Sequence, residues 1–321
     1  MRGCDYRISP HARRAIGSSF MRLVFFGLPL AALALHRAGH EVVLAGICRQ
    51  LAPGTRRLQR ILGAERVLVV PRADAPALLR RVESLRPELI VSWFWPRRLP
   101  MRLVRAALHG GFGVHPSLLP RWRGADPCFR ALDAGDVVTG VTAHEIEAEY
   151  DTGALLGHRR LIIESRWDSW QLARALDRPS LALMLDTVDA FARGVPPAGE
   201  TQDDAVATDA PAPTEDELEI DWHRDAAAIV RRVRAAAPYP GAWTFVGEEA
   251  LVVTLAEVAH APSALLPGEG TVVDGRAVVA AGQGGVALLR GRWIEDDGER
   301  TVNSLEIAEL LERSIGDRPF P

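Results

Sequence analysis

Two linked stretches carry the strongest pattern in this chain: GGFGVHPSLLPRWRGADP at residues 110–127 and TGVTAHEIEAEYDTGALL at residues 139–156. An apolar strand is predicted to end at His115, where Pro116 forces the histidine into an extended conformation. A loop bounded by prolines follows, and an alternating strand then leads to a turn at Asp151. The pattern therefore predicts two ionisable side chains at the ends of strands.

The residues before this stretch predict an α/β fold. Short apolar runs alternate with segments of helical periodicity, which is typical of a mainly parallel sheet covered by helices on both faces. The predicted strands are Leu23–Phe26, Glu41–Ile47, Val67–Val70 and Leu89–Trp95, and the predicted helices are Leu30–Ala38, Arg56–Leu62, Ala75–Leu85 and Met101–Leu108. Ligands of such sheets bind beyond the carboxyl ends of the strands. Only Gly27 follows the first strand, so the glycine fingerprint of a dinucleotide site is absent.

The second part of the chain predicts a small β-rich domain. Residues 195–213 are rich in Pro, Ala, Thr and Asp without periodicity, which is typical of a linker. Five short strands then predict a small barrel or open β-fold, and a helix at Ser304–Leu311, with Ser304 as its N-cap, closes the chain. The predicted organisation is a loose tail at 1–20, an α/β domain at 21–194, the linker at 195–213 and the β domain at 214–321.

Composition narrows the class of protein. The 321 residues are 48% hydrophobic and 25% charged, as in ordinary soluble proteins, and no apolar run has the length of a membrane span. Cys4, Cys48 and Cys128 lack paired or zinc-ligand spacing, which favours a reducing cytoplasm and no metal site. All 38 basic residues are Arg, which excludes a Schiff-base or phosphate-loop lysine. Residues 207–321 contain 10 Arg against 20 acidic residues, a balance that disfavours a nucleic-acid partner.

Several polar residues have two interpretations at this stage. His115 is either a proton-transfer group or a structural histidine that bonds a loop carbonyl. Asp151 is either an ordinary turn residue or a carboxylate that orients His115. His144 lies on an alternating strand, where a packed side chain is also expected. Asp126 precedes Pro127 and is also a candidate helix N-cap.

The aromatic and arginine side chains near this stretch are ambiguous in the same way. Trp93, Phe94 and Trp95 end the fourth strand, where they either hold a planar heterocycle or pack in the core. Arg121 and Arg123 flank Trp122, and they either bind a carboxylate or phosphate or stack on the tryptophan in an exposed loop.

Three segments together resemble the folate-dependent formyltransferases, especially their methionyl-tRNA formyltransferase branch. HPSLLPRWRGADP and TGVTAHEIEAEYDTGALL resemble the catalytic stretch of that family. MRLVFFGLPLAALALHRAGHEVV, at residues 21–43, is similar to its first strand, helix and second strand. DWHRDAAAIVRRVRAAAPYPGAWTF, at residues 221–245, is similar to the start of its C-terminal barrel-like domain. The resemblance covers about residues 21–312.

The resemblance implies a Rossmann-like catalytic domain, a small OB-like β-barrel, and formyl transfer from 10-formyltetrahydrofolate to a primary amine without a metal. It implies that His115 and Asp151 are catalytic and that the pterin lies between two segments, Ser92–Pro96 and Ala143–Tyr150. The candidate folate contacts are Trp93, Phe94, Trp95, Pro96, Ala143, His144, Glu145, Ile146, Glu149 and Tyr150. Ser117, Arg123 and Asp126 are candidate substrate contacts.

Gly113 departs from the family pattern, which has Asn-x-His where this chain has Gly113-Val114-His115. The amide would donate to the oxyanion of the tetrahedral intermediate, and loss of one such donor costs about 100- to 1000-fold in turnover. We expect formyl transfer to the amine of a small molecule in a biosynthetic pathway of the cytoplasm. The acidic second part disfavours a tRNA acceptor. Two alternatives are a folate-binding relative with altered one-carbon or hydrolytic chemistry, and a non-catalytic interaction module.

Overall fold

The computed structural model describes residues 20–247, 249–295 and 298–314. The predicted N-terminal tail, apart from Phe20, lies outside the described residues. In the described part of the chain, no helix combines the length and the apolar character needed to cross a membrane.

A seven-stranded sheet has the order β3-β2-β1-β4-β5-β6-β7. The strands that pair along β3-β2-β1-β4-β5 are parallel, and β6 runs antiparallel to β5. The prediction of a mainly parallel sheet is therefore confirmed. The strands are β1 (Arg22–Gly27), β2 (Glu41–Ile47), β3 (Val67–Val69), β4 (Leu89–Trp93), β5 (Gly111–His115), β6 (Val138–Glu145) and β7 (Leu155–Ile162).

Six α-helices alternate with or follow these strands. The predicted helix after β4 is shorter than expected, since it ends at Val104 rather than Leu108. The helix after β7 is continuous across Pro179. The helices are α1 (Pro29–Ala38), α2 (Thr55–Leu62), α3 (Pro76–Leu85), α4 (Met101–Val104), α5 (Pro127–Ala134) and α6 (Ser169–Ala192).

Gly27 allows the ends of β1 and β4 to approach closely. A Cβ atom at this position would lie 1.9 Å from the carbonyl oxygen of Trp93, and the backbone has φ of +148°. Only glycine fits both the space and the conformation. The single glycine after the first strand thus has a packing role. On one side of the sheet, apolar side chains from β1, β2 and β4, including Phe26 and Ile90, form a core cluster with those of α3 and α4.

The second sheet is antiparallel, with the order β10-β11-β12-β9-β8 and β13 paired to β12. The five predicted strands are present, and β13 was missed because GERTVN has little apolar character. The elements of this part are α7 (Glu215–Leu218), α8 (Ala226–Ala236), β8 (Ala242–Val246), β9 (Glu249–Ala259), β10 (Gly270–Val273), β11 (Arg276–Ala280), β12 (Gly285–Glu295), β13 (Gly298–Asn303) and α9 (Ser304–Ser314).

The N-cap of α9 is Asn303, so our assignment of Ser304 is wrong. The Asn303 Oδ1 atom accepts hydrogen bonds from the backbone N–H groups of Leu305 and Glu306, at 2.9 and 3.2 Å. The Glu306 carboxylate accepts in return from the Asn303 N–H at 2.9 Å. This reciprocal arrangement places the cap one residue earlier than the sequence suggested.

Backbone contacts divide the described residues into two compact units. The first comprises residues 20–115, 142–158 and 181–202, and the second comprises residues 116–141, 159–180 and 203–314. Residues 195–213, which we predicted to be a linker, make specific bonds within each unit. In the first unit Glu200 pairs with Leu155, and in the second Asp209 pairs with Arg123.

Candidate active site

The histidine that the sequence singled out lies at the carboxyl end of β5. His115 is the last residue of this strand and only 7% exposed. The strand lies between β4, to which it is parallel, and β6, to which it is antiparallel. The site is therefore at the sheet edge where ligands of parallel sheets bind.

Three residues from neighbouring strands lie side by side next to His115. Gly113 pairs with Ser92 on β4 and with His144 on β6. A Cβ atom on Gly113 would lie 3.3 Å from Nε2 of His144 and 3.8 Å from Cβ of Ser92. The imidazole of His144 therefore borders the space that a side chain at position 113 would enter.

Asp151 lies close to both imidazoles. Its Oδ2 atom is 3.4 Å from Nδ1 of His115, and its Oδ1 atom is 3.4 Å from Nε2 of His144. The three side chains are 15%, 8% and 8% exposed, respectively, and the two rings are perpendicular with centroids 6.4 Å apart. One carboxylate thus lies between two histidines. We call His115, His144 and Asp151 the strand-end cluster.

The turn at Asp151 is fixed by two residues that hold its backbone. The Gln202 side chain, 8% exposed, donates hydrogen bonds of 2.7 Å to the carbonyl oxygens of Asp151 and Gly153. A Cβ atom on Gly153 would lie 2.0 Å from the Glu145 carbonyl oxygen, so the position admits only glycine. Asp151 itself has φ of +57°, a conformation that Asp tolerates better than most residues. Asp151 is therefore both a turn residue and a neighbour of His115, so the two interpretations are compatible.

The role of Gln202 was not predicted, because a single glutamine in a segment rich in Pro and Ala carries no recognisable pattern. The pairing of His144 with Asp151 was also not predicted. The register that brings His144 opposite Gly113 depends on the antiparallel pairing of β6 with β5, which a sequence alone does not specify.

The strand-end cluster is suited to proton transfer and to stabilising negative charge. When the Nδ1 hydrogen of neutral His115 points to Asp151, Nε2 is the proton-accepting nitrogen of the ring. His144 has its Nδ1 atom 2.9 Å from the Glu145 carbonyl oxygen and its Nε2 atom towards Asp151. In the described part of the chain, no group of three or more His, Cys, Asp and Glu side chains is arranged to hold a metal ion.

The predicted folate contacts after β4 combine buried and accessible residues. Trp93 is 1% exposed, and the ring of Phe94 lies 4.3 Å from it. Trp95 packs edge-on against Phe26 at 5.2 Å and belongs to the core cluster. Its indole N–H is buried and makes no hydrogen bond within the described residues. Pro96, which follows, is exposed.

The predicted folate contacts after β6 become exposed along the chain. Ala143 and His144 are buried, Ile146 is half-buried, and Glu145, Glu149 and Tyr150 are exposed. Arg98 links this segment to the one after β4. It donates a hydrogen bond of 2.7 Å to Glu149, and its guanidinium lies 4.7 Å from the centre of the Tyr150 ring.

The candidate substrate contacts Ser117, Arg123 and Asp126 lie in the second compact unit, where each contacts its own surroundings. The buried Ser117 hydroxyl donates to the Arg121 carbonyl oxygen at 2.7 Å. Arg123 forms an ion pair of 2.9 Å with Asp204. Asp126 caps α5 by accepting from the Phe129 N–H at 3.1 Å, and burial raises the pKa of its carboxyl group.

Arg121 and Trp122 form the cation–π pair that was one of our two interpretations. The guanidinium lies 4.2 Å from the centre of the tryptophan ring. Both side chains also contact the carboxylate of Asp136, at 2.7 and 2.8 Å. These side chains stabilise the loop to which they belong.

Comparison with known proteins gives two family matches and similar solved structures. The model described as formyl transferase matches residues 58–188, and the formyl transferase C-terminal domain matches residues 214–308. A methionyl-tRNA formyltransferase of Stenotrophomonas maltophilia (strain K279a) is 33% identical over 302 residues, covering 89% of this chain and 96% of that protein.

The solved structures share the fold at lower identity. HypX from Aquifex aeolicus, in complex with tetrahydrofolic acid, has a TM-score of 0.65 at 19% identity and covers 92% of this chain. The match spans 48% of HypX, about half its length. An N-formyltransferase from Helicobacter canadensis, in complex with folinic acid and dTDP-3-aminofucose, has a TM-score of 0.64 at 11% identity. The match covers 84% of this chain and 99% of that protein. With two family models matched along most of its length and a relative of 33% identity, the chain belongs to the formyl transferase family.

Proposed function

We propose that this protein transfers a formyl group from 10-formyltetrahydrofolate to the primary amine of a small molecule. The observation that carries the proposal is the strand-end cluster, in which the Asp151 carboxylate lies 3.4 Å from both His115 and His144. The folate is a substrate that is consumed in each turnover. Membership of the formyl transferase family supports the reaction type.

His115 has the central chemical role in this proposal. Attack of the amine on the formyl carbon places negative charge on the formyl oxygen and positive charge on the attacking nitrogen. A positioned imidazole can donate to the oxygen or accept the proton that the nitrogen loses. Asp151 orients His115 and balances a positive charge on it. Gln202 and Gly153 maintain the turn that places Asp151 there.

The residues at the end of β4 and β6 fit a folate. A pterin presents a flat ring with hydrogen-bond donors and acceptors on its edge. The exposed carboxylates of Glu145 and Glu149 are acceptors for its donors, and the buried indole N–H of Trp95 is a donor that a ligand acceptor would satisfy. We therefore propose that the folate lies along Trp93–Pro96 and Ala143–Tyr150.

The acidic charge of the second part supports a small acceptor. Residues 207–321 carry 20 acidic side chains against 10 Arg, whereas binding of a tRNA backbone requires clustered positive charge. The Helicobacter canadensis enzyme, whose structure contains an amino sugar linked to a nucleotide, shares the fold. We propose a small-molecule acceptor of a biosynthetic pathway in the cytoplasm, and an α/β catalytic domain at 21–194 followed by an OB-like domain at 214–321.

Methionyl-tRNA is the second candidate acceptor. The observation that favours it is the S. maltophilia methionyl-tRNA formyltransferase, which matches this chain along nearly the full length of both proteins. The two candidates differ in their dependence on salt. Transfer to tRNA would weaken steeply as the salt concentration rises, because binding releases counterions from the phosphates.

A formyl-transfer assay with both kinds of acceptor tests the proposal. The purified protein is incubated with 10-formyltetrahydrofolate and either initiator methionyl-tRNA or a panel of nucleotide-linked amino sugars, and mass spectrometry detects formylated product. Transfer to a small amine supports the proposal, and transfer to the tRNA alone replaces the acceptor with the second candidate. Calorimetry with the folate completes the test. Binding without transfer to any amine would point to altered one-carbon or hydrolytic chemistry, and no binding at millimolar folate would point to an interaction module.

A further inference from the structure

We infer that His144 takes over the hydrogen-bonding role for which this chain lacks an amide side chain at position 113. The inference rests on the proposed function, since it assigns the second donor to the formyl oxygen in that reaction. His144 would be a catalytic residue that contacts the reacting oxygen, in addition to lining the folate site.

The imidazole of His144 lies beside the space that a side chain at position 113 would occupy. Nε2 of His144 lies 3.3 Å from the place of a Cβ atom on Gly113. That distance is shorter than an ordinary van der Waals contact, so the ring borders the volume where a side chain at 113 would begin. His115, two residues along β5, points to the same face of the sheet as position 113. The two imidazoles therefore converge from adjacent strands on one side of the sheet.

Each ring nitrogen of His144 lies near an oxygen atom. Nδ1 lies 2.9 Å from the carbonyl oxygen of Glu145, and Nε2 lies 3.4 Å from the Asp151 carboxylate. A carboxylate oxygen accepts hydrogen bonds, so the geometry favours a hydrogen on Nε2, the ring nitrogen that faces Asp151. The Nε2 contact is longer than the 2.7–3.2 Å of a good N–H···O bond. A small rotation of the ring can therefore direct this hydrogen towards an oxyanion that develops nearby.

The reaction can then proceed without an amide. The amine nitrogen attacks the formyl carbon, and the electron pair of the C=O bond moves to oxygen, where the Nε2–H of His144 donates a hydrogen bond. His115 takes a proton from the attacking nitrogen. The oxyanion re-forms the C=O bond as the bond from carbon to N10 of the folate breaks, and N10 receives the proton. The products are the formamide and tetrahydrofolate.

Two variants at positions 113 and 144 test the inference. Methionine has a similar length to histidine, is flexible and lacks the N–H donor. We expect His144→Met to lower kcat by about 100- to 1000-fold, while the Kd for the folate changes only a few-fold. The double variant Gly113→Asn with His144→Met should recover at least about tenfold, because the amide then supplies the donor. The single variant Gly113→Asn should not exceed the wild-type kcat, since His144 already fills that role. His36→Met, at an exposed site on α1, is the matched control and should behave as the wild type.

Three results would overturn the inference. The first is a wild-type kcat in His144→Met. The second is loss of folate affinity with kcat retained, which would leave His144 as a folate contact only. The third is a double variant no faster than His144→Met although both bind folate. A purely structural role for His144 does not predict rescue by an amide at 113.

A measurement on the unmodified protein separates this inference from the proposed function. Long-range proton–nitrogen NMR spectra distinguish ring nitrogens that carry hydrogen from those that do not. We expect Nε2 of His144 to carry a hydrogen, and a bare Nε2 would overturn the inference. If the spectra agree and no amine is formylated, the proposed function fails while the assigned state of His144 stands.

Discussion

The polar side chains of the strand-end cluster and those of the loop at residues 116–126 have different bonding partners. In the cluster, His115, His144 and Asp151 contact one another, and each comes from a different segment of the chain. In the loop, Ser117 and Asp126 bond backbone groups a few residues away. Ser117 and Asp126 therefore stabilise the local backbone, as a turn contact and a helix cap. The turn at Asp151 is instead stabilised by Gln202 and Gly153, which lie outside the cluster.

This difference separates structural from chemical roles. When the side chain of a turn residue bonds the backbone of that turn, its hydrogen-bonding atoms are occupied by those bonds. The Asp151 turn depends on the Gln202 amide and on the absence of a Cβ atom at Gly153. The Asp151 carboxylate is thereby available to face two imidazoles.

Replacement of His115 should have the largest effect. We expect His115→Ala to lower kcat for formyl transfer by about 100- to 10,000-fold, the range for loss of a positioned acid–base group. Steady-state kinetics with the acceptor found in the transfer assay provide the measurement. Arg123→Ala is the matched change in the loop, and we expect it to retain kcat within a few-fold because Arg123 pairs with Asp204. An equal loss in both variants would remove the distinction between the two regions.

Gly153→Ala should damage both the turn and the reaction. The new methyl group would lie 2.0 Å from the Glu145 carbonyl oxygen, so the backbone must shift. We expect a loss of about 1–3 kcal/mol in the free energy of unfolding, as for other overpacked sites, together with a fall in kcat as Asp151 moves. Urea denaturation and kinetics measure the two effects. Gly39→Ala is the contrasting variant, because nothing lies within 4 Å of its added Cβ atom and only its positive φ is strained. Normal kcat in Gly153→Ala would show that the turn does not position the carboxylate.

Much of the fold followed from sequence because its signals are local. Apolar runs predicted the strands of the first sheet closely. The missed features have weak signals in the sequence, although their partners are near in the chain. β13 lacks an apolar pattern and forms by pairing with β12, and Asn303 is recognised as a cap only when its bonds to Leu305 and Glu306 are seen.

The candidate site also contains residues that the sequence predicted and residues that it did not. His115 and Asp151 stand out in sequence because proline and glycine mark the strand end and the turn beside them. His144 contacts Asp151 because the turn after β6 brings the carboxylate back to the end of that strand, and the sequence does not specify this geometry. Gln202 lies about 50 residues further along the chain. It has no local signature, since side chains separated by that distance meet only through the tertiary fold.

Asp126→Ala should cost stability without a matching loss of chemistry. The side chain caps α5 through the Phe129 N–H. Removal of such a cap typically lowers the free energy of unfolding by about 1 kcal/mol. We expect that loss in urea denaturation, with kcat and the KM for the acceptor within a few-fold of the wild type. Asp126→Asn retains the cap oxygen and should recover most of the stability. A large rise in KM for both variants would instead support the prediction that Asp126 contacts the substrate.

The smallest effect should come from His40, a buried histidine that contacts a carboxylate but lies outside the cluster. The Met21 N–H donates to its Nδ1 at 3.4 Å, and Nε2 lies 3.1 Å from the exposed carboxylate of Asp189. Burial, which outweighs the opposing effect of Asp189, lowers the pKa of His40 from 6.5. Between the lowered value and 6.5 the unfolded chain binds more protons than the folded one, so stability falls as the pH decreases through this window.

The contribution of His40 is fully present above pH 6.5, and the variant His40→Gln should lack this pH dependence. Urea denaturation across the window, on the wild type and the variant, measures the difference between them. The carboxyl groups of Asp126 and Asp177, whose pKa values burial raises, are common to both proteins and cancel in that difference. A wild-type stability that rose relative to the variant as the pH fell would mean that Asp189 favours the charged ring more than burial opposes it. A carboxylate contact alone does not determine the protonation state of a buried histidine, because burial opposes the charged form of the ring.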